Sequence, residues 1–81
     1  MLGKVVGRVW SERQLPALTG RRLVLVQGID TDRREVAVDL VDAAPGLTVL
    51  VATDEAAAAA ADDPTVDAAV VALISGWDTE P

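Results

Sequence analysis

The chain contains no histidine, cysteine, tyrosine or phenylalanine. Missing imidazole and thiol groups remove the commonest general base, the usual nitrogen and sulfur ligands of zinc, and any disulfide. Positive charge is also scarce: seven Lys and Arg against thirteen Asp and Glu leave a net charge of −6. A protein that binds a nucleic-acid backbone needs clustered cations to displace counterions. Here the doublets Arg21-Arg22 and Arg33-Arg34 are each diluted by nearby acids, so no nucleic-acid partner is expected. Uninterrupted apolar sequence is short as well. The longest stretch, Ala68–Trp77, contains Ser75 and Gly76 and is about half of the roughly 20 residues that span a bilayer. No membrane crossing is expected. Lys4, Arg8 and Arg13 are spread among Val and Gly rather than preceding an apolar segment, so no export leader is expected and a cytoplasmic protein is the default.

What the chain has instead is aliphatic sequence, with 51% of its 81 residues hydrophobic. A domain of this size buries only about 60–65% of the surface its unfolded chain exposes. Small folds usually add a disulfide, a metal or a partner subunit. The first two are ruled out by composition, which leaves oligomerisation and predicts that some apolar surface meets other subunits. With no nucleophile–base pair and no ligand cluster, neither catalytic residues nor a bound metal or cofactor is expected.

The pattern is that of short strands. Leu2–Ser11 alternates Gly3, Val5, Gly7 and Val9 with larger or charged residues, predicting a strand with one tightly packed face and the glycines of a bent barrel strand. A loop at 15–20 leads to a second strand over Arg21–Ile29, in which Leu23–Val26 is apolar on both faces. Asp30–Arg33 is a polar turn into a third strand, Glu35–Leu40, with Val36, Val38 and Leu40 predicted inward. The loop Val41–Gly46 carries Pro45-Gly46, and Leu47–Ala52 is a fourth strand. Thr53 is placed to cap a short helix, with Asp54 and Glu55 against its N-terminal dipole and Ala56–Ala61 supplying propensity. Asp62 and Asp63 oppose the dipole at the other end, which predicts barely two turns. Ala68–Ile74 is the last strand. The predicted fold is all-β: one domain over residues 1–81, a small closed five-stranded OB-like β-barrel with one short α-helix between the fourth and fifth strands.

Four segments in order carry a family resemblance. Gly3-Lys4-Val5-Val6-Gly7-Arg8-Val9, then Leu18-Thr19-Gly20, then Leu23–Gln27 with Asp30, resemble the N-terminal half of the EutN/CcmL vertex proteins of bacterial microcompartments. Val38–Leu50 resembles the family's glycine-rich loop and following strand, with Asp42 and Ala44 standing where the family has glycine. Val66–Ile74 is similar to its final strand. The resemblance implies a homopentamer of small barrels that plugs the vertices of a polyhedral shell tiled by hexameric shell proteins, a structural role in the cytoplasm. A five-fold ring is a heterologous, closed assembly, so two different faces of each subunit must be complementary. The both-face apolar strands make Leu23, Leu25, Val70 and Leu73 candidate subunit-interface residues. Trp10 and Trp77, the two aromatic residues, are read as interface or core anchors rather than a base-stacking platform.

The resemblance also makes Asp42, Ala43, Ala44, Pro45 and Gly46 the candidate loop at the five-fold axis. If Asp42 faces that axis, five carboxylates ring an opening, each adjacent pair repelling by roughly 0.7 kcal/mol at about 6 Å in water and more in a drier pore. The competing reading is that Asp42 caps a turn in solvent. Asp30-Thr31-Asp32 lacks the glycine and closing Glu of a calcium loop and reads as a polar turn. Asp39 with Asp42 has no cleft or nucleophile to make an acid–base pair. An adaptor remains the alternative function: a free-standing acidic barrel binding a protein partner through its apolar strands.

Overall fold

A computed structural model describes residues 1–10 and 20–78. The predicted loop at 15–20 therefore lies outside the described residues except for Gly20, as does the end of the first strand at Ser11. The elements are β1 (Leu2–Val9), β2 (Leu23–Gly28), β3 (Arg34–Asp39), β4 (Thr48–Thr53), α1 (Asp54–Ala61) and β5 (Ala68–Leu73). The strands close into a barrel in the order β1-β2-β3-β5-β4. All neighbours are antiparallel except β3 and β5, a short parallel pairing of Val38 with Ala69 and Asp39 with Val70. That pairing closes the sheet and leaves no free strand edge.

A barrel of five strands has a narrow interior, and the sequence fills it with valine and alanine. Val5, Val24, Val26, Val49 and Val70 are the largest fully buried side chains, packed with Ala37, Ala43, Val51 and Ala68. Each such valine contributes roughly 1.5 kcal/mol or more through apolar burial. A second small core lies outside the barrel, where Ala57 and Ala61 of α1 and Val66 cover Val38 and Ala69. Ala57 and Ala61 are four apart and share one helix face, and their methyl groups let the helix sit close to β5.

Two predicted faces are corrected. In β3, Val36, Val38 and Leu40 do not point into the barrel; Ala37 does, opposite Val24, while Val36 is 48% exposed. Val24 and Val26 already occupy the interior at that level, so there is room for a methyl group and the branched side chains face outward, Val38 and Leu40 into the second core. In β1 the alternation flips. Val5 pairs with Val26 but Gly7 pairs with Leu25, a register shift that bulges Val6. One extra residue turns all that follows to the other side. Gly3 and Val5 therefore face inward, and Gly7 and Val9 face outward with Leu25 and Leu23.

The helix is held at both ends by contacts that its sequence does not announce. Thr53 has the extended backbone of an N-cap (φ −128°, ψ 164°), but its side chain makes no capping bond. The first turn is instead anchored by the Asp54 N–H donating to the Asp67 carbonyl at 2.8 Å. At the other end Asp62 takes a left-handed φ of 52°, and the Asp62 and Asp63 N–H groups donate to Ala59 (3.3 Å) and Ala58 (3.0 Å). This is the Schellman closure, with aspartate in the place usually held by glycine. Arg21, just before β2, donates to the Ala61 carbonyl at 2.8 Å and lies 3.8 Å from Asp63. It supplies the positive charge that the last turn lacks and offsets the two acids there.

Candidate functional site

The loop Asp42–Gly46 is tied down rather than open. The Asp39 carboxylate accepts the N–H groups of Val41 (3.1 Å) and Ala43 (2.8 Å). Gly46 N–H donates to Val5 at 2.7 Å, and Val5 N–H donates to Leu47 at 3.0 Å. Asp39 is thus the loop's bracket and has no acid–base partner in Asp42. Asp42 adopts a left-handed φ of 56°, a conformation routine for glycine and reached at times by aspartate. Its exposed carboxylate pairs with Arg22. Ala43 turns into the barrel core and is 1% exposed, whereas Ala44, Pro45 and Gly46 are exposed. The solvent-facing part of the loop is therefore Asp42 with its arginine, Ala44, Pro45 and Gly46.

The proposed interface residues separate into three groups. Val70 is 0% exposed inside the barrel; opposite Val51 on the inner face, its side chain has no access to a neighbour. Leu23 and Leu25 are half-buried on the outer face of β2, Leu23 resting against the second core. Trp10, Leu73 and Trp77 are exposed, at 83%, 51% and 50%. Neither tryptophan is a core anchor.

Register reveals what strand alternation alone missed. Gly7, Leu25 and Val36 form one row across β1, β2 and β3, beside the row Val9, Leu23 and Val38. Leu2, Leu50 and Ala72 form another row across β1, β4 and β5. All three rows lie on the outer face of the barrel. A shallow groove of about 190 Å³ adjoins the first, lined by Leu23, Val36, Val38, Val66 and Ala68 together with the polar Thr65 and Asp67. The bulge at Val6, which brings Gly7 and Val9 into the first two rows, and the register shift between Leu50 and Val51 in the β4–β5 pairing, which sets the third, leave no mark in composition or spacing.

Asp30-Thr31-Asp32 is the polar turn its sequence predicts: the Gln27 amide donates to the carbonyls of Thr31 (2.9 Å) and Arg33 (3.1 Å). Among the described residues no three acidic side chains come together in a way that could hold a metal ion, and no polar side-chain atom is buried without a partner. Among the described residues the one clear acidity shift is at Asp63. The Thr65 hydroxyl and N–H donate to its carboxylate at 2.7 and 2.9 Å, and these bonds, with Arg21 nearby, hold it below its ordinary 3.8. No helix is long and apolar enough to cross a membrane among the described residues.

The described surface is that of a small closed barrel with a helix over one seam and apolar rows turned outward. Comparison with known proteins places it. Residues 1–75 match the family model described as ethanolamine utilisation protein EutN/carboxysome. The chain belongs to the EutN/CcmL family. It is 44% identical over 80 residues to the carboxysome shell vertex protein CcmL of Synechocystis sp., spanning 90% of this chain and 80% of that protein. Among solved structures, CcmL of Nostoc sp. superposes with a TM-score of 0.88 at 36% identity, covering 94% of this chain and 89% of that one. The GrpN pentameric microcompartment shell protein of Rhodospirillum rubrum gives 0.88 at 31% identity, covering 98% of both chains. The EutN/CcmL barrel is thus the scaffold on which the surfaces above are displayed.

Proposed function

We propose that this EutN/CcmL protein is a structural vertex component of a bacterial microcompartment shell: a homopentamer of β-barrels, placed where hexameric shell proteins meet at a five-fold corner. The observation that supports it most is its 98% mutual coverage with a pentameric microcompartment shell protein, on a fold whose remaining large apolar groups face out. Val6, Val36, Leu47, Leu50 and Leu73, with both tryptophans, are exposed. A chain of 81 residues with this much outward apolar surface gains stability by association. The role needs no catalytic group, and the site is a set of surfaces.

The loop at Asp42, Ala44, Pro45 and Gly46 is the segment we assign to the five-fold axis. The Arg22–Asp42 pair bears on its electrostatics: five carboxylates brought together there arrive with five guanidinium groups, so the mouth is compensated rather than strongly acidic. Native mass spectrometry and light scattering over a range of concentrations test the ring, and co-purification with a hexameric shell protein tests the shell. Five chains that co-assemble with hexamers support the reading. A stable single chain refutes it and favours the adaptor function.

A further inference from the structure

We infer that the cleft beside Trp10 binds a small organic oxyanion: a molecule whose carboxylate or phosphate group takes N–H donors of Arg8, Arg21 and Arg22 while an attached ring lies against the Trp10 indole. This goes beyond the vertex reading and does not depend on it, since every residue named belongs to one chain.

Charge supports the site first. The chain has a net charge of −6, yet three of its seven cationic side chains line this one cleft, and no acid lines it among the described residues. Strand pairing explains the convergence. Arg8 lies opposite Val24 across β1 and β2, and Arg22, two residues before Val24, continues the sheet by accepting the Asp39 N–H at 2.8 Å. Alternation puts Arg8 and Arg22 on one side of the β1–β2 ribbon, as diagonal neighbours about 7–8 Å apart. Both are exposed, so their guanidinium groups are open to a ligand at this end of the barrel.

Two of the three donors are already held in place. One terminal nitrogen of Arg21 donates to the Ala61 carbonyl at 2.8 Å and lies 3.8 Å from Asp63, and one terminal nitrogen of Arg22 donates to Asp42. A guanidinium group has five N–H donors, so the other terminal nitrogen and Nε of each have no partner among the described residues. Side chains fixed beforehand lose less freedom on binding. Arg8 is in no salt bridge among the described residues. Three guanidinium groups less the two paired carboxylates leave one positive charge at the cleft. That suits one carboxylate or phosphate group, whose oxygens match the planar guanidinium fork.

Size and surface set the rest of the ligand. The cleft holds about 280 Å³, just under the roughly 300–1,000 Å³ of most small-molecule sites, which is room for a compact molecule rather than a polymer. Trp10 is 83% exposed there, and Val9 and Leu23 also line the cleft. A flat indole beside guanidinium groups can stack a ring whose charged substituent reaches the arginines.

The experiment uses the full chain carrying Trp77→Phe, which leaves Trp10 as its single indole. Trp10 emission is followed during titration with three probes that share a benzene ring: phenyl phosphate, benzoate and the neutral benzamide. A saturable change with phenyl phosphate, benzoate or both is expected, with none from benzamide, and the tighter of the two anions names the source of the oxyanion. In the same background Arg8→Gln is expected to weaken binding about tenfold or more, through loss of charge-assisted hydrogen bonds. Arg8→Lys, which keeps the charge without the planar fork, is expected to fall between. No saturable change up to about 10 mM of either anion, equal binding of benzamide, or an Arg8→Gln chain that binds as tightly as its parent overturns the inference. The same response from a Trp10→Phe chain, in which Trp77 is the single indole, also overturns it, because the effect then belongs to exposed indoles in general. Circular dichroism checks the fold of each variant. Should Arg8→Gln disrupt folding, Arg8→Lys carries the comparison, and an affinity equal to the parent's overturns the inference.

Discussion

Replacing Gly3 with alanine tests the barrel packing at its tightest point. Gly3 is paired with Gly28 on the inner side of β1 and β2. A Cβ there would run into the Cγ1 of Val26 and lie 2.8 Å from the Gln27 carbonyl oxygen and 3.3 Å from its carbon. The valine is fully buried and stiff about χ1, and the carbonyl belongs to the strand ladder, so neither yields without moving β2. Overpacking of this kind costs about 1–3 kcal/mol. Alanine returns about 0.4–1 kcal/mol by restricting the unfolded chain, so the clash wins and the net loss is about 1–2 kcal/mol. For a chain of this length that lowers Tm by about 5–15 °C. The control is Gly28→Ala, whose Cβ would meet the Thr31 methyl group, with Met1 Sδ at 3.3 Å and the Arg33 oxygen at 3.4 Å. Thr31 is on an exposed turn and can rotate away at the loss of one long, exposed bond from the Arg33 N–H (3.2 Å) to its hydroxyl, so the loss there is expected to stay under about 1 kcal/mol. Both are measured by urea and thermal unfolding followed by far-ultraviolet circular dichroism at one fixed subunit concentration, because association shifts apparent stability. Both tryptophans are exposed and make weak fluorescence reporters of the core. A Gly3→Ala protein as stable as the parent, or a Gly28→Ala protein that loses as much, refutes the packing argument.

Val24→Ala removes two methyl groups at a fully buried position; about 1.6 kcal/mol of burial plus a cavity contribution predicts a loss of about 2–3 kcal/mol in urea unfolding. Arg21→Ala deletes the bond to the Ala61 carbonyl and should cost about 1 kcal/mol, with faster amide hydrogen exchange confined to the end of α1. Asp63 titrates in the folded protein below its ordinary 3.8. The stability it contributes is therefore present above that value and is lost as pH falls through the lower folded-state value. In carbon-detected NMR its midpoint should lie below 3.8, and Thr65→Val, which deletes the first of the bonds holding it down, should move the midpoint upward.

How much of this was legible beforehand depends on the range of the interaction. The five strands and the helix follow from local pattern, and their observed ends fall within a residue or two of expectation wherever described. The polar turn at Asp30–Asp32 and the short Ala-rich helix were equally readable. Inward and outward were not. Val36 was predicted inward because β3 alternates, but alternation marks two faces without saying which one is the barrel interior. Val70 was read as an interface residue because β5 is apolar throughout, and such a strand does not say which of its side chains the interior takes. Arg21, which caps α1 from forty residues away, has no local signal at all.

The amino-acid sequence by itself determined the class of protein. Its lack of histidine and cysteine, its scarcity of cations and its short aliphatic runs left a small β-domain expected to associate, because those properties depend on composition and near-neighbour spacing. Tertiary structure decided which apolar surface is left facing solvent. The Val6 bulge, the order in which five strands close and the placing of α1 over the β3–β5 seam together set which leucines and valines face solvent. Each of these is fixed by hydrogen bonds and packing between residues far apart in the chain, where no local pattern reaches.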